Sequence, residues 1–140
     1  GRKETSRNRF EGDRIVWADT SYHDGWEERE PYCAAWVCHV VAESIRKGAR
    51  ISARPTSPSV SELRAWARRH GYMVTKPQPG DIFTLLPSGT SHTGIVESVK
   101  GTTLYTMEAN TDGAGSRDGD GFWRKTRLVS KADFFRIPVA

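Results

Sequence analysis

Long apolar runs are missing from this sequence. No stretch approaches the roughly 18 to 20 consecutive apolar residues that a membrane-spanning helix needs. Cysteine is scarce: only Cys33 and Cys38 occur. They stand five apart on what reads as a helix, which at ~1.5 Å rise per residue puts their Cα atoms about 8 Å apart. A disulfide wants less than about 7 Å. Two free thiols are therefore expected, with no disulfide framework to imply an oxidising compartment. Internal repeats and low-complexity tracts are absent, which excludes solenoid and fibrous architectures. So are a zinc pattern, a P-loop, a Gly-rich nucleotide turn and a Gly-x-Ser-x-Gly elbow. Asp112, Asp118 and Asp120, interleaved with Gly113, Gly115, Gly119 and Gly121, look like part of a calcium loop. They lack the twelve-residue spacing with its closing glutamate, and read as a turn. Asp19, His23 and Asp24 fit no strong metal template either. No metal or cofactor is expected.

A strong charge imbalance is also missing. The net charge is +4, from 21 Lys plus Arg against 17 Asp plus Glu. The basic residues are dispersed, apart from a cluster of Arg2, Lys3, Arg7 and Arg9. Such an excess attracts any anionic polymer weakly and does not choose between them. Phe122, Trp123, Arg124, Lys125 and Arg127 come closest to the aromatic-basic interleaving of an RNA-binding strand, but nucleic acid is not the expected partner.

What the chain does contain is material for one core. Its 140 residues are 36% hydrophobic, with five Trp, five Phe and four Tyr. A single domain over 1–140 is expected. The sequence opens on Gly1 with neither Met nor a leader, and reads as a processed or excised domain whose residues 1–30 form an irregular or helical lead-in.

Glu30-Pro31 is a favourable helix start. Cys33, Val37, Val40, Val41, Ser44 and Ile45 then follow helical spacing over 32–47, and Gly48 supplies a stop. A second helix follows a Pro/Ser-rich link. Ser59-Val60-Ser61-Glu62 has the form of a capping box, Leu63, Trp66, Ala67 and His70 continue the stripe, and Gly71 ends it. Beyond Pro77, Pro79 and Gly80 the period changes to short strands over 81–86, 92–99, 102–108, 122–129 and 134–137, with Lys100-Gly101 marking a hairpin. Helices first and strands afterwards argue for an α+β fold, with helices packed on an antiparallel sheet.

Chemistry is best placed at Cys33. In the first turn of a helix, the macrodipole and the unpaired N–H groups stabilise a thiolate, and the same groups can hold an oxyanion. Cys38 lies about 140° around the helix at ~100° per residue and reads as structural. A cysteine nucleophile needs a base. His39 is six residues along the same helix, His70 reads as a helix cap, and His23 lies in the irregular lead-in. His92, opening the strand Ser91-His92-Thr93-Gly94-Ile95-Val96, is the candidate base; Gly94 there allows close approach of a backbone or a substrate. The next strand, hairpin-linked to that of His92, ends in Glu108-Ala109-Asn110. Glu108 and Asn110 share one face by the period-two rule, and either can accept the imidazole N–H.

These segments resemble a known family. Pro31-Tyr32-Cys33-Ala34-Ala35-Trp36-Val37 resembles the nucleophile helix of the CHAP family, the cysteine- and histidine-dependent amidohydrolase/peptidase domains of the papain-like NlpC-type superfamily. Pro77-Gln78-Pro79-Gly80-Asp81-Ile82 is similar to its Pro-x-x-Gly-Asp segment, and Ser91-His92-Thr93-Gly94-Ile95-Val96 to its histidine strand. Glu108-Ala109-Asn110-Thr111, followed by Gly119-Asp120-Gly121 and by Arg124-Lys125-Thr126-Arg127, resembles its Glu-Gly-Asn-Thr segment and the strand after it. Glu4 and Asn8-Arg9 are like the lead-in of some bacterial members. Tyr32 stands where the family usually has Trp, and Ala109 where it has Gly.

The resemblance implies a papain-like α+β fold, in which N-terminal helices pack on a five- to six-stranded antiparallel sheet with the nucleophile at the start of the central helix. It implies Cys33 as nucleophile, His92 as general base and then acid, Glu108 as the orienting group and Asn110 as its assistant. Tyr32 and Trp26 are the expected substrate contacts. Family members mostly cut bacterial peptidoglycan, as N-acetylmuramoyl-L-alanine amidases or as stem-peptide and cross-bridge endopeptidases, in lysins, autolysins and secreted effectors. The expected partner is therefore peptidoglycan, met by a monomer that is secreted, periplasmic or phage-delivered, without membrane insertion. The same fold also serves cysteine amidases acting away from the wall, and a catalytically inactive wall-binding module is the other alternative.

Overall fold

In the structure, a computed structural model, two helices precede a run of strands, the order expected from the sequence. It describes residues 4–6, 9–10, 33–57, 59–85, 92–109 and 122–139. Two short strands, β1 (Glu4–Ser6) and β2 (Arg9–Phe10), pair antiparallel where an irregular or helical lead-in was expected. Helix α1 spans Cys33–Arg46 and α2 spans Val60–Arg69. Then come β3 (Met73–Val74), β4 (Ile82–Leu85), β5 (His92–Lys100), β6 (Thr103–Ala109), β7 (Phe122–Leu128) and β8 (Asp133–Phe135). Residues Val129–Lys131 make a single 3₁₀ turn before β8.

Helix α2 carries the expected signals at both ends and α1 at its C-terminal end, while Glu30-Pro31 lies outside the described residues. Ser59 Oγ accepts the Glu62 N–H at 3.2 Å, satisfying one donor that the first turn of α2 leaves over. His70 caps the other end, its Nδ1 lying 2.9 Å from the Trp66 carbonyl, a group that can only accept. Helix α1 stops at a left-handed Gly48, φ 103°, where the N–H of Ala49 turns back 2.9 Å to the Ser44 carbonyl. One expectation needs correcting. Instead of one apolar stripe, the first two turns of α1 are buried on every side: Cys33, Ala34, Ala35, Trp36, Val37 and Cys38 are all inside, while Ile45 is exposed. A helix that is apolar all round is a central helix, enclosed by its neighbours rather than lying on the surface.

The six-stranded sheet is antiparallel throughout, in the order β3-β8-β4-β5-β6-β7. Strand β3, with only two half-buried residues, carries too short a pattern to be read from sequence. Period-two alternation splits the apolar residues between the two faces. Ile82, Ala109 and Phe135 pack with α1 and α2, joined by Leu63 and Ala67; Phe83, Val96, Leu104 and Phe134 form a second cluster. Fully burying a side chain such as Phe83 contributes roughly 1.5–3 kcal/mol. The Pro-x-x-Gly-Asp segment earns its Asp structurally. Asp81, almost completely buried, accepts Arg136 Nε at 2.7 Å, Arg136 Nη2 at 2.8 Å and the Gln78 N–H at 2.8 Å, clipping the start of β4 to the segment after β8.

Cys33 and Cys38 are both free and buried. Cys38 donates to the Ser57 carbonyl at 3.4 Å, on the link between the helices, in keeping with a structural role.

Candidate active site

Three elements bring the candidate residues together. Cys33 is the first residue of α1 and is 2% exposed. Helix α1 packs across β5 and β6, so its N-terminus meets the end of the sheet where β5 begins. His92 is the first residue of β5, opposite Leu85 of β4. Its ring lies beside that of Phe83, with centroids 6.4 Å apart. Glu108 lies one residue from the end of β6 and has no exposed surface at all.

The bonding order follows from the distances. His92 Nε2 and Glu108 Oε1 are 2.8 Å apart, and a carboxylate can only accept, so Nε2 carries the proton. The Cys33 thiol hydrogen-bonds the same imidazole, and the nitrogen left for it is Nδ1. Sulfur, imidazole and carboxylate thus form a chain, with the imidazole between the other two. Burial alone would push the Cys33 thiol up, but the hydrogen bond and charge of His92, with the backbone N–H groups of Thr93 and Ala34, bring it below its ordinary value. The Ala34 N–H is one of those a helix start leaves unpaired. Burial would lower His92; bonding to Cys33 and to Glu108 instead raises it to about 9. Both directions favour a thiolate–imidazolium pair.

Glu108 is a carboxylate held in the interior. Burial would raise its pKa, but Arg127, His92 and Thr106 hold it down at about 2. Arg127 Nε donates to Oε2 at 2.8 Å and Nη2 to Oε1 at 2.5 Å, while Thr106 Oγ1 donates to Oε2 at 2.6 Å.

Gly94, between His92 and Val96 on β5, makes this packing possible. A Cβ added there would stand 2.6 Å from the Met107 carbonyl oxygen, 2.7 Å from Phe83 Cε2 and 2.9 Å from Glu108 Cγ. The close approach that the sequence leaves open between backbone and substrate is thus that of the neighbouring strand and of Glu108 itself.

A family model described as the CHAP domain matches residues 23–110, well over half of the chain. The chain belongs to the CHAP family. CHAP domains are in general amidohydrolases or peptidases, typical of proteins that act on the cell wall. No curated protein sequence matches the chain significantly. Among solved structures, the crystal structure of Ly7917 is similar, with 21% identity over 74% of this chain and 52% of that one, at a TM-score of 0.47. The chain spans about half the length of that protein.

Of the residues the CHAP resemblance points to, Cys33, His92 and Glu108 are neighbours in space. Asn110, Tyr32 and Trp26 lie outside the described residues, as do Asp19, His23, Asp24, Asp112, Asp118 and Asp120. Arg127 and Thr106 are the residues that sequence reasoning passed over. The period-two rule puts Thr106 on the face of Glu108, which was signal enough. Arg127 needs the β6–β7 register, in which it stands opposite Leu104 and reaches along the sheet to the carboxylate. No group of three or more His, Cys, Asp or Glu side chains among the described residues could hold a metal ion, and no described helix is long and apolar enough to cross a membrane.

Proposed function

We propose that this CHAP domain is a peptidoglycan hydrolase that cuts an amide bond with Cys33 as nucleophile, as an N-acetylmuramoyl-L-alanine amidase or as a stem-peptide or cross-bridge endopeptidase. The observation that carries the reading is the buried Cys33–His92–Glu108 chain, in which the thiol is lowered against the pull of its own burial. An ordinary buried cysteine is pushed the other way and is inert.

In this reading the thiolate attacks the amide carbonyl, and backbone N–H groups at the start of α1 receive the developing oxyanion. The imidazolium of His92 gives its Nδ1 proton to the leaving amine, whose C–N bond breaks to leave a thioester on Cys33. His92, now neutral, takes a proton from water, which attacks the thioester; the C–S bond breaks to release the acid and the Cys33 thiolate, restoring the thiolate–imidazolium pair. Glu108 keeps the ring oriented throughout, and Asn110 assists. Tyr32 and Trp26 contact the substrate, and the protein works as a monomer at the cell wall, reached by secretion, in the periplasm or on a phage particle.

The test is mass spectrometry of purified peptidoglycan after incubation with the protein, beside Cys33→Ala. New N-terminal alanine on stem peptides with intact glycan identifies an amidase, and cuts within the peptide identify an endopeptidase. Cys33→Ala should retain the fold and lose at least about a thousandfold in turnover, in line with loss of a nucleophile. Turnover retained by Cys33→Ala would remove the nucleophile assignment. A folded wild type that releases nothing would point to an amide away from the wall or to a binding module.

A further inference from the structure

Three groups that each take up a proton stand in a row here: a thiol, an imidazole and a carboxylate that has no contact with water. A desolvated carboxylate left to itself would draw a proton and become neutral. The row would then settle as a carboxylic acid, a neutral imidazole and a thiol, none of them reactive. Something must keep the proton from travelling that way.

The oxygen atoms of Glu108 show what does. Oε1 accepts from His92 Nε2 at 2.8 Å and from Arg127 Nη2 at 2.5 Å. Oε2 accepts from Thr106 Oγ1 at 2.6 Å and from Arg127 Nε at 2.8 Å. Thr106 has one hydroxyl proton, and the Lys125 carbonyl at 3.3 Å is the poorer acceptor for it. Each oxygen thus already has two donors, so a proton added to either must displace one of them. Half of the four contacts, and the only fixed positive charge among them, come from Arg127. Its planar fork matches both oxygens at once, which an ammonium cannot do. The pair is asymmetric: the carboxylate is fully buried, while the arginine side chain keeps 26% of its surface in contact with solvent. The cation can therefore discharge its remaining donors to water, and the desolvation cost falls mainly on the anion that it neutralises.

We infer that Arg127 is a positioning residue of this site, which clamps Glu108 as a carboxylate aimed at His92 and so confines proton exchange to the His92–Cys33 pair. The inference rests on the reading of Cys33 and His92 as the reacting pair. Arg127 bonds the carboxylate, and acts on the sulfur only through Glu108 and His92. The groups that bear on the charge of Glu108 are Arg127 from β7, His92 from β5 and Thr106 from its own strand, with Cys33 of α1 beyond the imidazole.

The experiment is an ultraviolet titration of the Cys33 thiolate in the whole protein, with Cys33→Ala subtracted. Wild type should ionise well below an ordinary thiol, for which the midpoint is about 8.5. Arg127→Met should raise that midpoint by about one pH unit or more, the scale set by loss of a close opposite charge. Arg127→Lys, with the charge but not the fork, should fall in between. A purely structural arginine would lower the melting temperature and leave the titration in place. If Arg127→Met does not fold, Arg127→Lys decides, and a wild-type midpoint in it overturns the inference. A low wild-type midpoint that stays put in folded Arg127→Met overturns this inference alone. An ordinary midpoint in wild type overturns the activated cysteine, and the inference with it.

Discussion

Gly94→Ala is the smallest change that should reach both the sheet and the candidate site. The added methyl would lie 2.6 Å from the Met107 carbonyl oxygen, 2.7 Å from the Phe83 ring and 2.9 Å from Glu108 Cγ. The first of these is backbone within the β5–β6 ladder, and the second belongs to a ring that is completely buried. Neither can give way cheaply. Overpacking costs about 1–3 kcal/mol in well-filled cores, and a clash with backbone puts this site at about 2–3. For a domain of this size that lowers the melting temperature by roughly 6 to 12 °C. The third contact links stability to chemistry. Glu108 must retreat, and its 2.8 Å bond to His92 Nε2 has only a few tenths of an ångström before it weakens. Turnover should therefore fall more than tenfold at temperatures where the variant is still folded. Val96→Ala, on the same strand and in the apolar cluster with Phe83, provides the comparison: it should lose stability and keep turnover. Thermal unfolding by circular dichroism, with wall-hydrolysis rates taken well below each midpoint, reads both quantities. A Gly94→Ala melting temperature equal to that of wild type, or unchanged turnover, would refute the packing argument.

Stability should depend on pH at both ends. Glu108 is lowered from 4.5 to about 2, so its contribution is complete above the unfolded value and disappears as pH falls from 4.5 towards 2. At about 1.36 kcal/mol per pH unit this amounts to about 3 kcal/mol, which urea unfolding across that range would measure in wild type and find missing in Glu108→Gln. His92 is raised from 6.5 to about 9, so its contribution is complete below 6.5 and is lost as pH rises through 9. Turnover should decline over the same alkaline range, because the proton owed to the leaving amine goes; an optimum well above 9 would contradict the assignment of His92 as the acid. Asp81→Ala should lower the melting temperature by several degrees without moving either limb of the pH–rate profile, since its bonds go to Arg136 and Gln78 rather than to the site.

Much of this arrangement is legible before folding because it is local. The thiol at a helix start, the Ser59 cap, the His70 cap and the hairpin between β5 and β6 depend on residues a few positions apart, and each signal survives intact. The sequence also narrows the third member to Glu108 or Asn110, and the bond to His92 is made by Glu108. What escapes is long-range. The enclosure of α1 on every side arises because the sheet, α2 and the link all pack around it, and no periodicity within the helix encodes that. Arg127 lies 19 residues from Glu108, and only the register of β7 on β6 brings the two together.

By itself, then, the sequence determined an α+β domain, a cysteine at a helix N-terminus and a histidine at a strand start, since capping, turn chemistry and alternation act within one element. Tertiary structure decided that Glu108 bonds the imidazole, why Gly94 is glycine, and that an arginine holds the acid. Those are matters of distance between strands, and electrostatic and steric forces of this kind vary over tenths of an ångström to a few ångströms. A linear pattern carries no such distances until the sheet has chosen its register.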